Sequence, residues 1–172
     1  MKEIEDYARS LCDRDEEGPN LYHHVQLVRK YAVELARIEK ADVRVCEIAA
    51  LLHDIGKCKG REHHHITGRD LAEPFLERLN ISKEKKQLIL KCIYKHRSDF
   101  YSEENKIEVK EIQSADFLGA LFNHEWQEHC RRILPKKDLL KFYDGALNKI
   151  NLESARRIAE PRLQYLRENL EK

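Results

Sequence analysis

An all-α domain is the fold class this sequence predicts, and three observations predict it. Apolar residues recur at helical spacing from end to end, and the period-2 alternation of strands is nearly absent. Asn20, Asp42 and Ser82 each stand just ahead of an apolar periodic stretch, where helix N-caps stand. The 172 residues suit one domain, residues 1–172, with one sizeable core.

Taken in order, a first helix carries Ile4, Tyr7, Ala8, Leu11 and Cys12 on one face, and the acidic stretch running into Gly18-Pro19-Asn20 breaks it. Asn20 caps a second helix with Leu27, Val28, Tyr31, Ala32 and Leu35 in register. One turn back from Leu27 and Val28 lies His24, which therefore faces inward. A third helix, capped by Asp42, runs through Ile48-Ala49-Ala50-Leu51-Leu52 into His53-Asp54 and Ile55-Gly56-Lys57. The stretch from about His64 to Leu79 is helical in pattern but contains Pro74, which predicts a kink or a restart. Ser82 caps a helix whose apolar series Leu88, Ile89, Cys92, Ile93 continues to His96. Between Ile107 and Leu121, Val109, Ile112 and Gly119 share their stripe with Asp116. The tail from Leu139 reads as amphipathic helix interrupted at Pro161. Trp126, with Phe117, Phe122 and Tyr143, is expected in the core rather than in a base-stacking platform.

Composition excludes several functions. The chain is 41% hydrophobic and 37% charged, which describes a heavily solvated surface, and 32 basic against 31 acidic residues leave no net field for nucleic acid or membranes. Phosphate recognition, if present, has to be local. Residues 1–6 lack the apolar stretch of a signal peptide, and no segment approaches the ~18 apolar residues of a membrane span, so a cytoplasmic location is expected. Cys12, Cys46, Cys58, Cys92 and Cys130 form no Cys-x-x-Cys pair, and read as reduced, small core residues.

Four helices thus place a His or Asp on a face that otherwise packs inward: His24, His53 with Asp54, His96, and Asp116. A single inward histidine is ordinarily a hydrogen-bonded core residue. An unpaired buried carboxylate costs several kcal/mol, however, and four such coincidences in one domain point to a shared site for divalent ions.

The order His…His-Asp…His…His…Asp resembles the HD superfamily of metal-dependent phosphohydrolases. The resemblance covers about residues 20 to 122, with carboxy-terminal helices over 123–172. His24-Val25-Gln26-Leu27-Val28 is similar to the family's first motif, and Ala49 through Lys57 to its central signature. His64-His65-Ile66-Thr67-Gly68, Ile93-Tyr94-Lys95-His96 and Ser114-Ala115-Asp116-Phe117-Leu118 resemble the elements that follow. The resemblance implies that His24, His53, Asp54 and Asp116 hold one metal. In two-metal members, histidines at the places of His64 and His96 add a second, with Asp54 bridging. The implied cofactor is one or two divalent ions: iron, manganese, cobalt, zinc or nickel.

The implied activity is hydrolysis of a phosphomonoester, phosphodiester or phosphoanhydride bond in a small nucleotide-like substrate by metal-activated water. Asp54 and Lys57 are the expected catalytic residues, and Lys57, Arg61, Arg69 and Arg97 the candidates to grip phosphate. Spacing to Gly68 selects His64 from the run His63-His64-His65, although a helical turn could present His65 instead. His23 is expected at the entrance. His124 and His129 superficially match a zinc-peptidase motif, but they lie five apart, about 140° around a helix, and read as structural or exposed. The rival readings are a non-catalytic metal- and nucleotide-binding sensor and a di-iron oxygenase on the same fold. No motif speaks for substrate identity or oligomeric state.

Overall fold

The computed structural model describes residues 1–103 and 105–171, with the side chains of residues 149 and 171 left aside. The described residues form helices and turns and no strand. The helices are α1 (Lys2–Cys12), α2 (Leu21–Glu39), α3 (Val43–Leu52), α4 (His64–Glu77), α5 (Lys83–Lys95), α6 (Ile107–Phe122), α7 (His124–Ile133), α8 (Lys136–Asp144) and α9 (Glu153–Glu171). Short 3₁₀ turns follow α3 (Ile55–Lys59), α5 (Ser98–Phe100) and α8 (Ala146–Lys149).

The caps act as expected. Asn20 accepts from the His23 N–H, Asp42 from those of Arg44 and Val45, and Ser82 from that of Lys85. α3 is the centre of the molecule. Val45, Cys46 and Ile48 through Leu52 are all buried, because α1, α2, α5 and α6 pack around it. The largest interface joins α2 to α6. Gly119 makes it close: a Cβ there would stand 2.5 Å from Val28 Cγ2 and 3.3 Å from His24 Cε1. α9 lays Ala155, Ala159, Leu163 and Leu166 inward, packing chiefly against α6 and α8.

Of the kink or restart expected at Pro74, the restart does not occur: α4 runs through it, since Ala72, Phe75 and Leu76 are anchored in the core on either side. α9 likewise runs through Pro161, and the tail is interrupted earlier, at Gly145 and the 3₁₀ turn after α8. Cys12, Cys46, Cys92 and Cys130 are buried free thiols, and Cys58 is partly buried and free. No helix among the described residues is long and apolar enough to cross a membrane.

Candidate metal centre and its walls

Each candidate ligand enters from a position that its local sequence fixes. His24 lies in the first turn of α2, and Asp116 comes from α6 across the interface that Gly119 keeps close. His53 ends α3, and Asp54 follows in the sparsely populated region near φ −107°, ψ 3°, so the chain turns sharply between them. His96 ends α5 and His64 starts α4. Gly56 seats the His-Asp turn against the start of α4: a Cβ there would fall 2.1 Å from His64 O and 2.5 Å from Gly68 N.

The six side chains converge. Asp54 Oδ2 lies 3.3 Å from His53 Nε2 and 3.6 Å from His24 Nε2, and Asp116 Oδ1 lies 3.0 Å from His24 Nε2 and 3.6 Å from His53 Nε2. Asp54 Oδ1 faces the other way, 3.3 Å from His64 Nε2 and 3.7 Å from His96 Nε2. The two oxygens of one buried carboxylate therefore address two separate donor groups: His24 with His53, and His64 with His96.

Hydrogen bonding fixes the ring tautomers. The Nδ1 atoms of His53 and His96 lie 2.7 Å from the carbonyls of Ala50 and Ile93, and His64 Nδ1 lies 2.5 Å from Arg61 O. A carbonyl can only accept, so each Nδ1 donates and each neutral ring turns an Nε2 lone pair to the centre. Two of these, on His64 and His96, are only 2.9 Å apart. Lone pairs at that separation repel unless a cation or proton lies between them. His53 Nε2 and Asp54 Oδ1 are also buried without a hydrogen-bond partner. The donor set, its orphaned atoms and its mixed N/O chemistry fit divalent ions.

The electrostatics lead to the same requirement. Burial opposes ionisation of Asp54, but Lys57 and then His53 hold its carboxyl well below the usual range. Burial likewise opposes charge on His53, yet the Asp54 and Asp116 carboxylates outweigh it and push the imidazole up to about 10. Burial, reinforced by His53, drives His96 down to about 3, so that ring stays neutral. With no ion at the centre the two carboxylates thus draw a proton onto His53 Nε2, the positive charge that a bound ion would supply in its place while leaving the ring neutral.

Lys57 Nζ pairs with Asp54 Oδ2. A cavity of about 150 Å³ opens beside it, with His24, Asp116, Lys57, Arg61, Asn20 and Trp126 among its walls. Arg61 is clasped by the Asp15 carboxylate and the Glu17 carbonyl. With Arg97 and His64 it also lines an open recess on the other flank. Arg97 donates to Glu62 O at 2.8 Å and to Asp99 at 2.7 Å. Arg69 is not brought in: it pairs with Asp70 at 2.7 Å and lies over the Tyr94 ring.

His65 is turned away against Tyr94 and Phe100, so the choice between neighbours falls to His64. His23 is exposed, 3.8 Å from Glu125, and does not line the cavity. His124 is exposed, and His129 stacks on Trp126. Tyr143 is core as expected, but Trp126 is a cavity wall, because Asn123 caps α7 and turns that helix toward the site. Sequence reasoning missed the segment at Pro19 and Asn20 as a wall. Its one signal was Arg61, a basic residue whose acidic partners Asp15 and Glu17 lie far back in the chain.

An all-helical scaffold that turns imidazole nitrogens and carboxylate oxygens to a common buried centre could hold metal, and this one follows a known plan. The chain matches the HD domain over residues 21–121, more than half its length, and belongs to that family. It is 29% identical to ribonuclease Y of Chlorobium phaeobacteroides over 146 residues, 82% of this chain and 26% of that protein. It is 27% identical to YpgQ of Bacillus subtilis over 124 residues, 70% of this chain and 60% of that protein. The chain thus spans less than two thirds of either relative. An HD-superfamily hydrolase structure from an uncultured Thermotogales bacterium superposes with a TM-score of 0.73 at 25% identity, over 99% of this chain and 89% of that one. The structure of YpgQ in complex with ADP gives 0.71 at 23%, over 98% and 92%.

Proposed function

We propose that this chain is a divalent-metal-dependent phosphohydrolase acting on a small nucleotide-like substrate, with water as the attacking group. The observation that carries the reading is the division of labour on Asp54, whose Oδ2 addresses His24 and His53 while Oδ1 addresses His64 and His96. With Asp116 beside the first pair, these residues would hold one or two ions. When bound, divalent ions supply Lewis acidity at phosphoryl oxygen and lower the pKa of water.

The protein's own groups do the rest. Lys57 anchors the Asp54 carboxylate and borders the cavity, where its ammonium can neutralise charge on a phosphoryl oxygen. Arg61 and Arg97 flank the His64 side and offer guanidinium forks to a phosphate chain. Arg61 is held by Asp15, which keeps it aimed rather than free. A nucleotide-like substrate is supported by the ADP complex of the similar YpgQ fold, and hydrolysis by the HD-superfamily hydrolase that this chain resembles.

The deciding experiment combines elemental analysis of the purified protein with phosphate release from a panel of nucleotides and dinucleotides after adding manganese, cobalt or iron. Bound metal with release is expected. Metal without release shifts the reading to a sensor, or to an oxygenase if oxygen is consumed with iron. No metal under any loading condition removes the centre.

A further inference from the structure

A third recess reaches the same centre, and it differs in chemistry from the other two. It is a partly open recess of about 230 Å³ and touches His96 and Asp116. Its walls are the rings of Tyr101, Phe117, Trp126 and Phe142, with no Lys or Arg among the residues that line it. The other two recesses carry Lys57 and Arg61, and Arg61 and Arg97. All four rings are only partly buried, whereas Tyr143, next along α8, is completely covered. Phe117 and Phe142 already pair at 5.8 Å between centroids, tilted 30°, and give the wall a ready-made face. Open aromatic surface beside a charged centre favours a planar, uncharged occupant.

We propose that this recess is the base subsite: the substrate lies across the centre with its phosphates toward Lys57, Arg61 and Arg97 and its nucleobase among Tyr101, Phe117, Trp126 and Phe142. The inference rests on the phosphohydrolase reading and adds the orientation of the substrate and the residues that select a nucleoside. Polar reading of the base edge is left to the hydroxyls of Ser98 and Tyr101, which can donate or accept and so favour neither purine, because the Gln113 amide that lines the recess is engaged at both ends. Its Nε2 donates to Lys95 O at 2.7 Å, and its Oε1 accepts from Asn151 Nδ2 at 2.6 Å. Stacking tolerates any base, so adenine and guanine nucleotides are expected to bind within about threefold of each other.

The test compares two non-hydrolysable probes on manganese-loaded protein by calorimetry: α,β-methylene-ADP, and methylenediphosphonate, which has the same bridged phosphates and no nucleoside. Phe142 lines only the aromatic recess and is the discriminating position. Phe142→Leu is expected to weaken α,β-methylene-ADP about tenfold, with methylenediphosphonate affinity as the internal reference for an intact centre. Phe142→Tyr restores the ring and is expected to restore the affinity. Trp126, the only tryptophan, lines both this recess and the cavity beside Lys57, so its emission should respond to both probes in the parent, and Phe142→Leu should diminish only the response to the nucleoside probe. If α,β-methylene-ADP binds equally to the parent and Phe142→Leu, or both probes weaken together, the base subsite is wrong while the phosphohydrolase reading stands. If neither probe binds the loaded parent, both are overturned.

Discussion

Glu111 is fully buried on α6, where one oxygen accepts from the Cys46 thiol at 2.6 Å and the other has no partner. Burial, offset in part by that thiol and reinforced by Glu108 and Glu39, raises its carboxyl from 4.5 to about 7. Between those values the folded state holds a proton that the unfolded chain has lost. Stability therefore falls as pH rises through that window, and the penalty is complete above it. Glu111→Gln is expected to gain about 1–3 kcal/mol at pH 8 in urea unfolding and to flatten the pH profile. A loss at pH 8 would mean that the carboxylate has a favourable partner. At the centre, His96→Ala leaves the His24, His53 and Asp116 group in place, so metal content should drop from about two ions per chain to about one, whereas Asp54→Asn should empty both places. Equal metal in His96→Ala and the parent would reduce the site to one ion. Single residues were legible in the sequence where a polar group broke an apolar stripe, as at His24, His96 and Asp116. They were ambiguous where neighbours shared a chemistry, and only packing against Tyr94 and Phe100 takes His65 out of the site.

The elements themselves were legible because caps and apolar faces agree, and the errors lie where tertiary burial overrides a local signal. Pro74 and Pro161 each remove one backbone donor, yet both helices continue, because residues on either side are locked into the core. Close approach of backbone is equally invisible to periodicity. Gly56 is read as part of a motif, but its physical role is to let the His-Asp turn touch the start of α4, within 2.1 Å of His64 O from a would-be Cβ. Gly56→Ala must push these two backbones apart and is expected to cost about 2–4 kcal/mol in thermal or urea unfolding. It should also reduce metal content by displacing His64 from Asp54. A variant with parental stability and metal content would show that the turn yields freely. Gly119→Ala should be milder, because the nearest atom to its Cβ is a Val28 methyl, although the Val28 backbone N at 3.2 Å limits the relief.

At the scale of the molecule, the sequence reveals which helix faces share a centre, because His24, His53, His96 and Asp116 each continue an apolar series, whereas His64 is found only through the resemblance and its spacing to Gly68. It does not reveal the walls, which are built where segments remote in the chain meet. Pro19 and Asn20 reach the cavity through Arg61 and Asp15, and Trp126 and Phe142 through the turns of α7 and α8 over α6. The same convergence sets a global consequence. The centre gathers ligands from α2, α6, the ends of α3 and α5 and the start of α4, so an ion bound there binds the folded state and has no preformed site in the unfolded chain. It must therefore stabilise the whole fold by mass action, by about 4 kcal/mol when the free ion is a thousandfold above its dissociation constant. For a chain of 172 residues, that corresponds to a Tm rise of about 8–16 °C on adding manganese or cobalt to chelator-treated protein. Asp54→Asn should remove the rise, and with chelator present it should unfold below the chelator-treated parent, because Lys57 and His53 lose the buried carboxylate they pair with. A metal-independent Tm in the parent would mean that the cluster holds no ion strongly enough to matter. A rise that persists in Asp54→Asn would move the ion to another site.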